Sequence, residues 1–287
     1  MRRTFSICMP VLVLGTTQAH AVELFHDDFE SGSDLFNPLP SGYGWNGAWS
    51  DPGDAIGVST GVAHSGTRSV KFTFGGGADS DDARSELRYI LGQNMTEVYM
   101  QWYQYYPSGN ENPSVGPKWV HRTAPTGGNN NKFYKLWDDD YQHYKVATGV
   151  STHPGANLHD KYFVEYGSNL LGFVGEWGGH GDYTVDDSYL GRWTKIQIHT
   201  RCATAANNDG VIEMWIDDVR VMGDTTLDLY PIDGIGNYLR NGYLMGWSNS
   251  GFAQTTHTYI DDVTIADAPI DASPASKPKA PVNLQVQ

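Results

Sequence analysis

The residues best suited to chemistry stand in one short run, Arg84-Ser85-Glu86-Leu87-Arg88. In an extended strand, alternation puts Arg84, Glu86 and Arg88 on one face and Ser85, Leu87 and Tyr89 on the other. Two guanidiniums around one carboxylate are either solvated at a surface or, set in a groove, form a rigid receptor for sugar carboxylates or sulfates. A second group of cations follows: Lys118, His121, Arg122, Lys132, Lys135, His143 and Lys145, with Tyr134, Tyr141 and Tyr144 among them. This is either a solvated loop region or the wall of the same groove. Later in the chain His199 alternates outward with Lys195 and Gln197, and Tyr243 opens the run Tyr243-Leu244-Met245-Gly246-Trp247.

Such residues would serve β-elimination from a uronic acid, the chemistry that the family resemblance given below implies. That step removes the proton at C5 and expels the 4-linked oxygen. The C5 proton becomes acidic only when the sugar carboxylate is neutralised by Arg, Lys, an amide or a metal. A Tyr or His then serves as base and as acid. A glycoside hydrolase of the retaining kind would instead carry closely spaced carboxylates on one strand. No glutamate after residue 22 starts a Glu-x-Asp-x-x-Glu pattern. Glu165 and Glu176 leave a pair assembled across strands open.

Such residues need elements that hold them. Arg2 and Arg3, an apolar run from Phe5 to Gly15 and Ala19-His20-Ala21 read as a secretory signal over residues 1–21, so a secreted or periplasmic location is expected. Residues 22–267 alternate short apolar runs with Gly, Asn, Asp and Pro turns and lack long helical periodicity. This pattern predicts one all-β domain of two antiparallel sheets. Strands are expected at Phe25–Phe29, Ser69–Phe74, Arg84–Tyr89, Glu97–Tyr106, Lys132–Trp137, Lys161–Glu165, Trp193–Thr200, Val211–Val221 with a tight turn at Asp217-Asp218, Tyr243–Trp247 and Thr258–Ile265. In the fourth, Val98, Met100 and Trp102 face the core, and Tyr99, Tyr103 and Tyr105 form a wet aromatic face. Residues 268–287 read as a Pro/Ala-rich linker or tail.

The chain carries 33 Asp and Glu against 19 Lys and Arg, a net charge of −14. That excess disfavours nucleic acid and anionic membranes as partners. A polyanionic substrate is compatible only if the cations are concentrated locally. Beyond Cys8 in the leader there is only Cys202, so no internal disulfide forms. A monomer is expected. The histidines show no close pair at helical zinc spacing.

Phe29-Glu30-Ser31-Gly32, Trp45 and Ala63-His64-Ser65-Gly66-Thr67-Arg68-Ser69-Val70 resemble the opening of carbohydrate-active jelly rolls. Gly191-Arg192-Trp193, Trp215-Ile216-Asp217-Asp218 and Tyr259-Ile260-Asp261-Asp262-Val263 resemble secreted concanavalin-like jelly-roll polysaccharide lyases, relatives of heparin, glucuronan and alginate lyases. Arg84-Ser85-Glu86-Leu87-Arg88 resembles a substrate-binding groove strand of family-seven alginate lyases, and Gln197-Ile198-His199 their Gln-Ile-His motif. The resemblance implies a two-sheet jelly roll and cleavage of an acidic polysaccharide. It implies Arg84, Glu86, Arg88, Tyr103, His121 and Arg122 as substrate-binding residues, with Lys135, Tyr243 and His199 as catalytic ones. It also implies a structural Ca²⁺ on Glu30 or Asp28, the Gly66 carbonyl and Asp261, hard oxygen ligands of the kind calcium takes. A non-catalytic carbohydrate-binding module, with surface tyrosines stacking on sugar rings, is the alternative reading.

Overall fold

Strands with one apolar face must bury it against another sheet. The computed structural model describes residues 22–32, 35–36, 38–39, 41–78, 81–119, 130–137, 144–152, 160–166, 169–173, 184–185, 188–204, 207–229, 237–249 and 251–270. The leader, the tail beyond residue 270, and both His121 and Arg122 lie outside the described residues. The described residues contain no helix.

Two antiparallel sheets form the sandwich. The back sheet contains β1 (Glu23–Asp27), β3 (Ala55–Ser59), β4 (Ser69–Phe74), β6 (Glu97–Tyr105), β12 (Trp193–Arg201), β13 (Gly210–Ile216), β14 (Val219–Leu227) and β17 (Thr256–Ala266). The front sheet contains β2 (Gly44–Ser50), β5 (Ala83–Met95), β7 (Asn130–Trp137), β8 (Tyr144–Thr152), β9 (Asp160–Tyr166), β10 (Asn169–Phe173), β11 (Thr184–Val185), β15 (Leu239–Leu244) and β16 (Trp247–Ser248). The strand order is β14-β13-β12-β6-β17-β4-β3 in the back sheet and β10-β9-β8-β7-β15-β5-β16 in the front. This is the expected all-β jelly roll.

The core lies between the sheets and follows the alternation. From β5 it takes Leu87, Tyr89 and Leu91; from β6, Val98, Met100 and Trp102; from β12, Ile196 and Ile198. Trp102 stacks on Tyr134 at 5.9 Å and meets Phe133 edge-on at 5.9 Å. Those two partners are adjacent in sequence, yet both face inward. The reason is a bulge: Lys132 pairs with Gly149 and Tyr134 with Thr148, which leaves Phe133 as the extra residue. The run Val211–Val221 is two strands, because Asp217 and Asp218 take φ of 50° and 67° in a tight hairpin turn.

Candidate functional site

The outward residues of β5 form the floor of a cleft on the front sheet. Arg84, Glu86, Arg88, Lys132, Lys135, Trp137, Tyr243, Trp247 and Asn249 line it, and its volume is about 230 Å³. Four cations and one carboxylate therefore meet in a chain whose net charge is −14. The alternation of β5 supplies three of these residues, and the bulge at Phe133 supplies another. Across that bulge Lys132 and Lys135 open on the same side, although they stand three positions apart.

Register places the central trio. Tyr243 on β15 lies opposite Arg88 on β5 and opposite Lys135 on β7. Arg88, Tyr243 and Lys135 thus form one row across three strands, with neighbours about 5 Å apart at the backbone. Tyr243 is 2% exposed and meets Trp137 edge-on at 5.3 Å. Lys135 Nζ sits 5.2 Å from the Trp137 ring centre.

The cations are positioned by specific partners. Arg88 donates through Nε and Nη2 to the same oxygen, Oε2 of Glu86, at 2.9 and 2.8 Å. Arg88 also stacks over Trp49 at 4.7 Å. Arg84 donates Nη2 to Asp51 at 2.7 Å and packs over Trp247 at 5.5 Å. Its buried Nε has no acceptor among the described residues. The Arg84 amide donates to Asp54 at 2.6 Å. Burial raises the Asp54 carboxyl, and hydrogen bonds from Gly75 and Arg84 oppose that rise. Lys132 donates to Asn249 at 2.7 Å. On the inner side of β5, Ser85 is fully buried, and its hydroxyl is shared between the carbonyls of Ala55 and Thr73 at 3.0 and 3.2 Å.

Two expected members lie elsewhere. His199 is on β12, where Ile196 and Ile198 occupy the core side, so its ring faces away from the core on the back sheet. It bridges Glu97 through Nε2 at 2.8 Å and Glu213 through Nδ1 at 2.9 Å, and stacks on Tyr99 at 4.0 Å. Its alternation is as expected, but that face belongs to the sheet opposite the cleft. His199 is therefore corrected from a catalytic residue to a bridge between two carboxylates. Tyr103 is corrected for the same reason: it lies on β6, stacked on His64 at 3.5 Å. Burial, then the carboxylates of Asp262, Asp218 and Asp217, raise its phenol. Lys132, one of the cations read as a possible groove wall, lines the cleft with Trp137, Trp247 and Asn249, which were not singled out as site residues. The bulge and the break between β15 and β16 hide them from a strict period of two.

Glu30, Gly66 and Asp261 meet at one turn. Glu30 Oε1 accepts the amides of Thr67 and Arg68 at 2.7 and 2.6 Å, and Oε2 accepts the Thr67 hydroxyl at 3.0 Å. These bonds, the Thr67 amide foremost, lower the Glu30 carboxyl. A Cβ on Gly66 would stand 2.4 Å from Glu30 Cδ, so the carboxylate lies directly on that turn. Asp261 is fully buried and accepts the amides of His64 and Ser65 at 2.7 and 3.2 Å. Burial pushes its carboxyl up to about 6. One oxygen of each carboxylate keeps a lone pair, and hard oxygens around one turn suit calcium. Among the described residues no group of three or more His, Cys, Asp or Glu side chains is placed to hold an ion. A cation here would therefore draw on backbone carbonyls.

No protein-family model and no curated protein matches the chain. Solved structures do. An endo-β-1,4-glucuronan lyase from the fungus Trichoderma reesei aligns with a TM-score of 0.53 at 12% identity, over 86% of this chain and 96% of its own. The cellulose induced protein Cip1 aligns with a TM-score of 0.52 at 17% identity, over 85% of this chain and 97% of its own. At these identities the likeness establishes the fold, and the chain is built on the jelly roll of these proteins.

Proposed function

We propose that the protein is an exported polysaccharide lyase that cleaves a uronic-acid-containing polymer by β-elimination. The row Arg88–Tyr243–Lys135 within a cationic cleft carries this reading. Arg88 and Lys135 flank the phenol, so a uronate carboxylate held between them loses its charge where the C5 proton leaves. Tyr243, acting as its phenolate, takes that proton as the C5–H bond breaks and becomes the phenol. The C4=C5 double bond forms, the C4–O bond breaks, and the leaving oxygen gains a proton from the same phenol. Arg84, whose guanidinium lines the cleft, holds a neighbouring carboxylate. Glu30, the Gly66 carbonyl and Asp261 would hold a calcium ion, which would brace that turn on the back sheet, away from these steps. A monomer acting outside the cell or in the periplasm is part of the same proposal.

The test is direct. The protein without its leader is incubated with glucuronan, alginate and glycosaminoglycans, and the ultraviolet absorbance of the unsaturated uronic acid is followed. A rise that Tyr243→Phe abolishes supports the lyase. Binding with no rise gives the module reading, for which the half-exposed Trp49 beside the cleft is a stacking platform. New reducing ends without the absorbance give a hydrolase.

A further inference from the structure

Glu86 is an anomaly in a cleft that should attract anions. It is 4% exposed and lines the floor. Arg88 directs Nε and Nη2 to one carboxylate oxygen, Oε2. No donor among the described residues reaches Oε1. Oε1 is not among the enclosed unpartnered atoms; it lies toward the cleft, with lone pairs that a ligand hydroxyl can take up.

The residue opposite Glu86 on β2 is Trp49. Its indole is 52% exposed, with the Arg88 guanidinium 4.7 Å from the ring centre. The ring leans across Gly47, where an added Cβ would meet Trp49 Nε1 at 3.2 Å. The bare backbone at Gly47 thus lets the indole lie low on the sheet beside Arg88. An apolar ring face, a carboxylate acceptor and a guanidinium then stand around one space. They match the apolar face, a hydroxyl and the carboxylate of a single uronic acid.

Resting on the lyase reading above, we infer that Trp49, Glu86 and Arg88 form a sugar subsite beside the reaction row, and that this subsite selects unsulfated polyuronates over sulfated glycosaminoglycans. A free sugar hydroxyl donates to Glu86 Oε1. A sulfate ester in that place offers no hydrogen and sets a second anion against the carboxylate, a repulsion that works against the wrong polymer.

The experiment measures dissociation constants for oligoglucuronate and for a heparin-type sulfated oligosaccharide by calorimetry. It compares the protein with Glu86→Gln and Trp49→Ala, in the Tyr243→Phe background to prevent turnover. The unmodified subsite should favour the unsulfated chain by about tenfold or more. Glu86→Gln should shrink that ratio severalfold by tightening the sulfated ligand. Trp49→Ala, on an exposed side chain that folding does not need, should weaken the unsulfated ligand roughly tenfold, the scale of one lost ring stack. Binding of the unsulfated chain with a ratio that Glu86→Gln does not change, or an affinity indifferent to Trp49→Ala, overturns the subsite and leaves the lyase reading standing. Failure to bind either polymer overturns both.

Discussion

The ring of Tyr243 lies on the backbone of Gly246: a Cβ there would stand 2.3 Å from Tyr243 Cε2. The site depends on that missing atom. Gly246→Ala should push the phenol off the Arg88–Lys135 row. A misplacement of this kind costs about 100-fold in turnover. Steady-state kinetics should show the loss in kcat with KM changed much less, since Arg84 and Arg88 still hold the polymer. An equal loss in both would place Tyr243 in binding alone.

Arg84 and Arg88 should separate in stability though both are proposed to bind substrate. Arg88→Ala leaves the nearly buried Glu86 without its guanidinium, at a cost of about 2–3 kcal/mol. Arg84→Ala frees Asp51, whose side chain is 34% exposed, so the cost is about 1 kcal/mol or less. Urea unfolding of the two variants checks the order, and equal midpoints would contradict it.

His199→Ala should leave turnover within about twofold, because the ring lies on the sheet opposite the cleft. It should still destabilise the fold by about 2 kcal/mol, since Glu97 and Glu213 lose their shared donor. Assay and melting temperature together decide this. Lost turnover at unchanged stability would return the histidine to catalysis.

Acid should weaken the fold through His257. Burial, with a smaller contribution from Lys71, lowers its imidazole from 6.5 to about 4. Between those values the unfolded chain binds the proton and the folded chain does not. The stability His257 contributes is therefore complete above pH 6.5 and is lost as pH falls toward 4. His257→Asn, beside the Thr73 hydroxyl, should flatten the melting curve over that window. An unchanged slope would assign the acid loss to other groups.

Calcium should raise the melting temperature, and a chelator should lower it, in a manner that Glu30→Gln removes. A melting temperature indifferent to both would mean that the amide hydrogen bonds of Thr67, Arg68, His64 and Ser65 hold the turn alone.

Period-two patterning carried most of the fold. Ser69–Phe74 forms a strand as read, and the inward sets of β6 and β12 are the core. Strands such as Gly44–Ser50 were not legible, because glycines interrupt their apolar pattern. The site was legible where alternation is unbroken, at Arg84, Glu86 and Arg88. It was hidden where one extra residue shifts the faces, at Phe133, and where Met245 takes a φ of 48° between β15 and β16. Which sheet a face belongs to is a property of topology, and a local motif such as Gln197-Ile198-His199 does not carry it.

The hydroxyl of Ser85 has a consequence for how the cleft meets a ligand. It fastens the strand bearing Arg84, Glu86 and Arg88 to backbone carbonyls of the opposite layer. The receptor is consequently rigid before any sugar arrives. The entropy of ordering its charged groups is spent during folding, so the flexible polymer proposed as its ligand would meet a finished template and have only its own freedom to lose.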